Sequence, residues 1–175
     1  MPIAASELSL PAKAKYFASN IFLRALIGAM QALPYHWRVS GMGRLVRLLS
    51  PVVGFERRIR DNLALTCPDL TEGAVDQICG EVADNAGRTL AELYSGTPFL
   101  RRATAAPIGG PGLAALEQAQ AEGRPVVLVT GHFGNYDAAR AGLIAKGFAM
   151  GALYRRMANP YFNTHYVRAI EGNGK

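Results

Sequence analysis

One stretch of the 175-residue sequence gathers side chains with an evident chemical use: Thr130-Gly131-His132-Phe133-Gly134-Asn135-Tyr136-Asp137. A histidine and a nearby aspartate can work as a general base and its orienting acid. The carboxylate holds the imidazole tautomer and stabilises its cation, and the imidazole takes a proton from a hydroxyl. On one continuous helix, residues five apart point about 140° away from each other. The pair can therefore meet only if His132 lies on a turn before a helix and Asp137 lies inside its first turn. Gly131 and Gly134 suit such a turn, because glycine lets the backbone bend tightly and approach a ligand closely. With 3 histidines and 13 acids in the chain, about 0.2 His-x4-acid matches arise by chance, so the spacing alone is a weak signal. The alternative, a structural His132 and an Asp137 that merely complements a helix N-terminus, stays open on spacing and context.

Other chemistry has less support. His36 sits in an aromatic-basic group, Tyr35-His36-Trp37-Arg38, and His165 lies on a late helical segment; neither belongs to a motif. There is no Gly-x-Ser-x-Gly elbow, no phosphate-binding Gly-x4-Gly-Lys-[Ser/Thr] loop and no Gly-x-Gly-x-x-Gly after a strand. Cys67 and Cys79 have no histidine close in sequence and form no Cys-x-x-Cys pair, which argues against zinc and a disulfide framework and fits a reducing compartment. Cys79 falls on an apolar helical stripe and is expected to be a buried thiol.

The elements that must position His132 and Asp137 read as α/β. Residues 111–122 suggest a short helix ended by Gly123. The run 125–130, PVVLVT, is continuously apolar between turn residues, as a strand buried on both faces reads. Residues 131–137 form the turn, 138–146 a helix closed by Gly147, and 148–154 a second strand. Asn159-Pro160 is a good cap and first position for a last helix to Ile170. This order predicts a βαβ unit with parallel strands, and open α/β sheets place sites at the C-terminal ends of their strands.

Before it, Thr71 caps a helix to about residue 95, with Val75, Ile78, Cys79, Val82, Ala83, Ala86, Leu90, Leu93 and Tyr94 at helical spacing; Gly96 and Pro98 stop it. The front third is basic. Residues 1–60 hold nine Lys/Arg against two acids, a balance of +7, and residues 61–175 hold ten against eleven, a balance of −1. The apolar stretch 21–33 falls short of the roughly 20 apolar residues of a clean transmembrane helix. Preceded by Lys13 and Lys15 and followed by the aromatic-basic group, it suits a helix lying in one leaflet, or a core helix. Residues 43–53 form a second apolar-basic segment with Leu45, Leu48 and Leu49 on one face, ended near Pro51. Residues 1–60 are thus expected to be membrane-associating helices and 61–175 a separate domain. An anionic membrane surface is the expected partner, with nucleic acid or a merely solvated basic face as the alternatives, and nothing resembles a signal peptide.

Three blocks in order resemble a known family. Gly131-His132-Phe133-Gly134-Asn135-Tyr136-Asp137 is similar to the GHFGNWE-type block of the bacterial lipid A biosynthesis acyltransferases, the lauroyl and myristoyl transferases. Tyr154-Arg155-Arg156-Met157-Ala158-Asn159-Pro160 resembles their YRP…NP block. Arg60-Asp61-Asn62-Leu63 with Cys67-Pro68-Asp69-Leu70 resembles their NL…FP block. The resemblance implies a glycerolipid-acyltransferase-like αβα sheet domain behind helical membrane-associating elements. It implies transfer of a fatty acyl chain from acyl carrier protein to a hydroxyl of a lipid A precursor, at the cytoplasmic face of a bacterial inner membrane. It assigns His132 as base, Asp137 as its partner, and Arg155 and Asn159 to substrate binding; no cofactor, nucleotide or metal, is required. It also implies that the chain is the N-terminal portion of such an enzyme. Family members continue into further strands and a Pro-Asp-Gln-type block that nothing here matches, so the sheet domain is expected to be incomplete, and the expected activity is that of the complete protein. Two alternatives remain: an acyltransferase for another lysolipid or a phosphoinositol mannoside acceptor, and an inactive membrane-associated fragment. A nucleic-acid binder ranks last, with one Trp and no aromatic-basic ladder.

Overall fold

The computed structural model describes residues 8–131 and 133–173. Among them run eight helices: α1 (Leu10–Gln31), α2 (Tyr35–Leu49), α3 (Phe55–Thr66), α4 (Glu72–Leu93), α5 (Thr97–Ala105), α6 (Leu113–Ala121), α7 (Tyr136–Ala145) and α8 (Pro160–Gly172). They fall into two compact units, Arg24–Ser95 and a second made of Met1–Leu23 with Gly96–Lys175. None of the described helices is long and apolar enough to cross a membrane.

In the unit Arg24–Ser95 the core lies between α2 and α4. Thr71 accepts a hydrogen bond from the Ala74 amide at 3.4 Å and starts α4, as its position before the apolar stripe predicts. Cys79, Ala83, Gly87, Ala91 and Leu93 form its buried face. Burial pushes the Cys79 thiol above its ordinary pKa, because the thiolate would lose its hydration there. The face α2 turns to α4 is Val39, Met42 and Gly43, not the leucine face: Leu48 and Leu49 are exposed. The reason is backbone approach. A Cβ on Gly87 would stand 2.4 Å from the Met42 carbonyl oxygen and 2.8 Å from the Gly43 Cα, so two glycines let the helices close to a distance that a leucine seam would prevent. Arg38 closes the end of α1 by donating to the carbonyls of Gln31 at 2.9 Å and Leu33 at 2.8 Å. Arg60 on α3 pairs with Glu56, Glu72 and Asp76, tying α3 to the start of α4.

The other unit overturns the α/β expectation. It contains no strand or sheet among the described residues, and the chain as described is all helical. Residues 125–130 and 148–154, the two expected strands, run without regular structure. Val127 and Val129 are 88% and 92% exposed, and Leu153 is fully exposed. No backbone–backbone hydrogen bond among the described residues involves 125–131. A strand exists only through pairing with another segment, and neither apolar run finds one. The helices here are as their end signals predict. Gly123 (φ 66°) ends α6, and Gly147 (φ 92°) ends α7 with the Phe148 amide donating to the Leu143 carbonyl at 3.2 Å. Helix α5 was not expected. Pro98, read as a stop signal, sits in its first turn, where proline's missing N–H costs nothing. Phe99 and Ala103 of α5 are buried, and Gly142 of α7 lies close to Ile108 and the Ala103 carbonyl.

Candidate active site

The turn before α7 carries the motif. Gly134 adopts φ 54°, and the exposed Phe133 ring folds back over Gly131. Asn135 then starts the helix: its Oδ1 accepts from the amides of Asp137 at 3.0 Å and Ala138 at 3.3 Å. Capping at Asn135 begins α7 at Tyr136, two residues earlier than its apolar pattern suggests, and puts Asp137 inside the first turn. His132 lies outside the described residues.

Asp137 is buried at 4% exposure. Its Oδ1 accepts from Arg140 Nε at 2.8 Å and its Oδ2 from Asn173 Nδ2 at 3.1 Å. Arg140 also donates through Nη2 to the Ile170 carbonyl at 2.6 Å, a second donor to an oxygen in the last turn of α8 that already accepts from the Asn173 amide at 3.2 Å. The Tyr136 and Tyr166 hydroxyls lie 3.3 Å apart. Three polar contacts therefore fasten the start of α7 along α8. A carboxylate offers about four lone-pair directions, so with two in use Asp137 can still accept from a third donor.

The other two candidates lie at the opposite end of α8. Asn159 caps it, with Oδ1 accepting from the amides of Tyr161 at 3.0 Å and Phe162 at 3.2 Å. Its Nδ2 donates to the Tyr16 carbonyl and to Ser19 Oγ, both at 2.9 Å, so every hydrogen-bonding position of the amide is used within the protein. The Phe17 and Tyr161 rings meet edge-on beside it, at 5.9 Å. Arg155 is exposed on the preceding loop, without an ion pair among the described residues. That loop is anchored two residues later, where the Met157 amide donates to Oδ1 of the buried Asn163 at 3.0 Å. Asn159 and Asn173 flank a helix of 13 residues, a separation of about 20 Å at 1.5 Å per residue. Asn159 is thus not brought to the Asp137 carboxylate.

Arg140, Asn163, Tyr166 and Asn173 were not singled out by sequence reasoning. The i,i+3 spacing of Asp137 and Arg140 was an available signal for an ion pair. Asn173, 36 residues from its partner, had none.

The family model for the bacterial lipid A biosynthesis acyltransferase matches residues 1–175. The chain belongs to that family. It is an acyltransferase of lipid A biosynthesis, working with an acyl donor and a lipid acceptor. No curated protein and no solved structure gave a significant match. In this acyltransferase the carboxylate on which the resemblance rested lies in the first turn of α7 and accepts from Asn173 at the end of α8.

Proposed function

We propose that the acyltransferase moves a fatty acyl chain from an acyl carrier protein thioester to a hydroxyl of a lipid A precursor or similar glycolipid, at the cytoplasmic face of a bacterial inner membrane. The observation that carries this reading is the family match over the whole sequence, supported by the location of Asp137 in the first turn of α7.

In the proposed mechanism His132 takes the proton of the acceptor hydroxyl as its oxygen attacks the thioester carbonyl. Asp137 accepts from the second imidazole nitrogen with its spare lone pairs, and Arg140 and Asn173 fix the carboxylate for that task. The tetrahedral intermediate carries an oxyanion, and the exposed guanidinium of Arg155 offers it charge. Collapse breaks the carbon–sulfur bond, and the departing thiolate takes the proton back from the imidazolium. Ester and free carrier thiol are formed, with no covalent enzyme intermediate. Asn159 contributes by fixing the start of α8, close in sequence to Arg155. The basic front third suits both an anionic leaflet and an acidic carrier protein.

Incubation with a fatty acyl–carrier protein and a lipid A precursor bearing a free hydroxyl should yield a product one acyl group heavier by mass spectrometry. Equal rates from acyl-coenzyme A would remove the carrier protein from the reading. No product from either donor would remove the reading itself.

A further inference from the structure

The unit Arg24–Ser95 holds a cleft that acyl transfer does not call on. It encloses about 450 Å³ between α2 and α4 and is lined by Arg44, Arg47, Glu81, Asp84, Asn85 and Arg88. The spacings explain the convergence. Arg44 and Arg47 are three apart on α2, and positions 81, 84, 85 and 88 repeat at helical intervals on α4.

The guanidiniums are seated by particular local features. A Cβ on Gly80 would stand 2.9 Å from both Nε and Nη2 of Arg47, so Arg47 lies over the α4 backbone in space that only a glycine leaves free. A Cβ on Gly43 would meet Asp84 Oδ1, so a second glycine lets that carboxylate reach between the helices. Asp84 in turn pairs with Arg88. Glu81 accepts from Gln77 Nε2 at 2.8 Å. One of the three cations is thus compensated within the protein. Arg44 and Arg47 make no ion pair among the described residues.

We propose that this cleft binds the phosphate of a phosphomonoester. Such a group carries a charge of about −1.5 to −2 near pH 7 and three acceptor oxygens. With three arginines against two acids, Glu81 and Asp84, the lining is net positive, a balance of +1. The guanidinium forks of Arg44 and Arg47, which make no ion pair among the described residues, can each donate two parallel hydrogen bonds. The Asn85 amide adds a neutral donor. The volume exceeds what phosphate fills and leaves room for the alcohol that carries it. The attraction of the two forks grows with the charge of the anion, which favours a dianionic monoester over a monoanionic diester, while Glu81 in the same lining opposes both. The site does not depend on the acyl-transfer mechanism, and either can fail without the other.

The test uses the full chain and three probes: inorganic phosphate by titration calorimetry, and phosphatidylcholine vesicles carrying equal mole fractions of phosphatidic acid or phosphatidylglycerol by co-sedimentation. Preference for the phosphatidic acid vesicles identifies a lipid headgroup as the source. Saturable binding of inorganic phosphate with no vesicle preference identifies the free ion. In either case Arg44→Gln with Arg47→Gln should weaken binding by roughly tenfold or more, the expected loss for a charge-assisted contact. Removing the same charge at the exposed Arg57 and Arg58 should weaken both vesicle types alike and preserve any preference. Gly80→Ala, which keeps every charge but displaces Arg47, should weaken binding, and Glu81→Gln should strengthen it. The proposal is overturned if neither phosphate nor monoester preference is detected, or if binding survives the Arg44/Arg47 substitutions in a protein with an unchanged circular dichroism spectrum.

Discussion

The two units answer differently to the same kind of signal. In Arg24–Ser95 a helical spacing of apolar residues becomes a buried face, with Cys79, Ala83, Gly87 and Ala91 buried and Gly87 against the α2 backbone. In the other unit the apolar runs at 125–130 and 148–154 form no strand, and although Phe148 is buried, Val127, Val129 and Leu153 face solvent. A helix closes its backbone hydrogen bonds within the segment, so its pattern is largely self-sufficient. A strand's pattern states a requirement that another segment must meet. The second unit combines a small apolar core, in which Phe99, Ala103, Ala141, Phe148 and Phe162 are buried, with polar fastenings between α7 and α8, chief among them the Asp137–Arg140–Asn173 cluster. The carboxylate of the block at 131–137 sits in that cluster, whereas the block at 60–70 lies in the unit Arg24–Ser95.

The largest effect should come from breaking the polar fastening. Asp137→Ala leaves the largely buried guanidinium of Arg140 without its carboxylate, and should cost about 3–5 kcal/mol in chemical denaturation. A loss below about 1 kcal/mol would mean that the cluster does not hold the unit. Next comes the glycine seam. Gly87→Ala forces a methyl against the Met42 carbonyl and should cost about 1–3 kcal/mol; a neutral substitution would mean that α2 and α4 do not approach so closely. Much smaller is Val127→Thr with Val129→Thr, expected to change stability by no more than about 0.5 kcal/mol. A larger loss would place those valines in a core and narrow the contrast between the units. The mildest test changes no residue. Cys67 is exposed and Cys79 buried, so a thiol reagent should label one cysteine quickly and the second only on unfolding. The raised pKa of Cys79 adds to its protection, because less of the reactive thiolate is present at a given pH. Prompt labelling of both would contradict the packing of α4.

Legibility follows the same division. Thr71, Asn159 and the terminal glycines Gly123 and Gly147 located helix ends correctly, because a cap acts on amides or carbonyls only a few residues away. Pro98 misled because proline both stops and starts helices, and only the burial of Phe99 and Ala103 distinguishes the two uses. On α2 the leucines misled, since contact was chosen by how closely two glycines let backbones come, not by bulk. Within the candidate site, the apolar pattern put Asp137 on the turn before a helix at 138, and the first-turn placement was only the condition that a His-x4-Asp pair sets; the Asn135 cap, which the pattern did not show, meets it. The clamp on Asp137 was not legible either: Asn173 lies at the far end of α8, and no local pattern announces a contact across 36 residues.

Turnover of the His132→Ala variant tests the central claim most directly. Acyl transfer from acyl carrier protein should fall by about 10²–10⁴-fold, the usual worth of a general base, while thermal stability and vesicle binding stay at parental values. A folded variant that turns over at the parental rate would take the imidazole out of the reaction and leave the Asp137 cluster as a structural device alone.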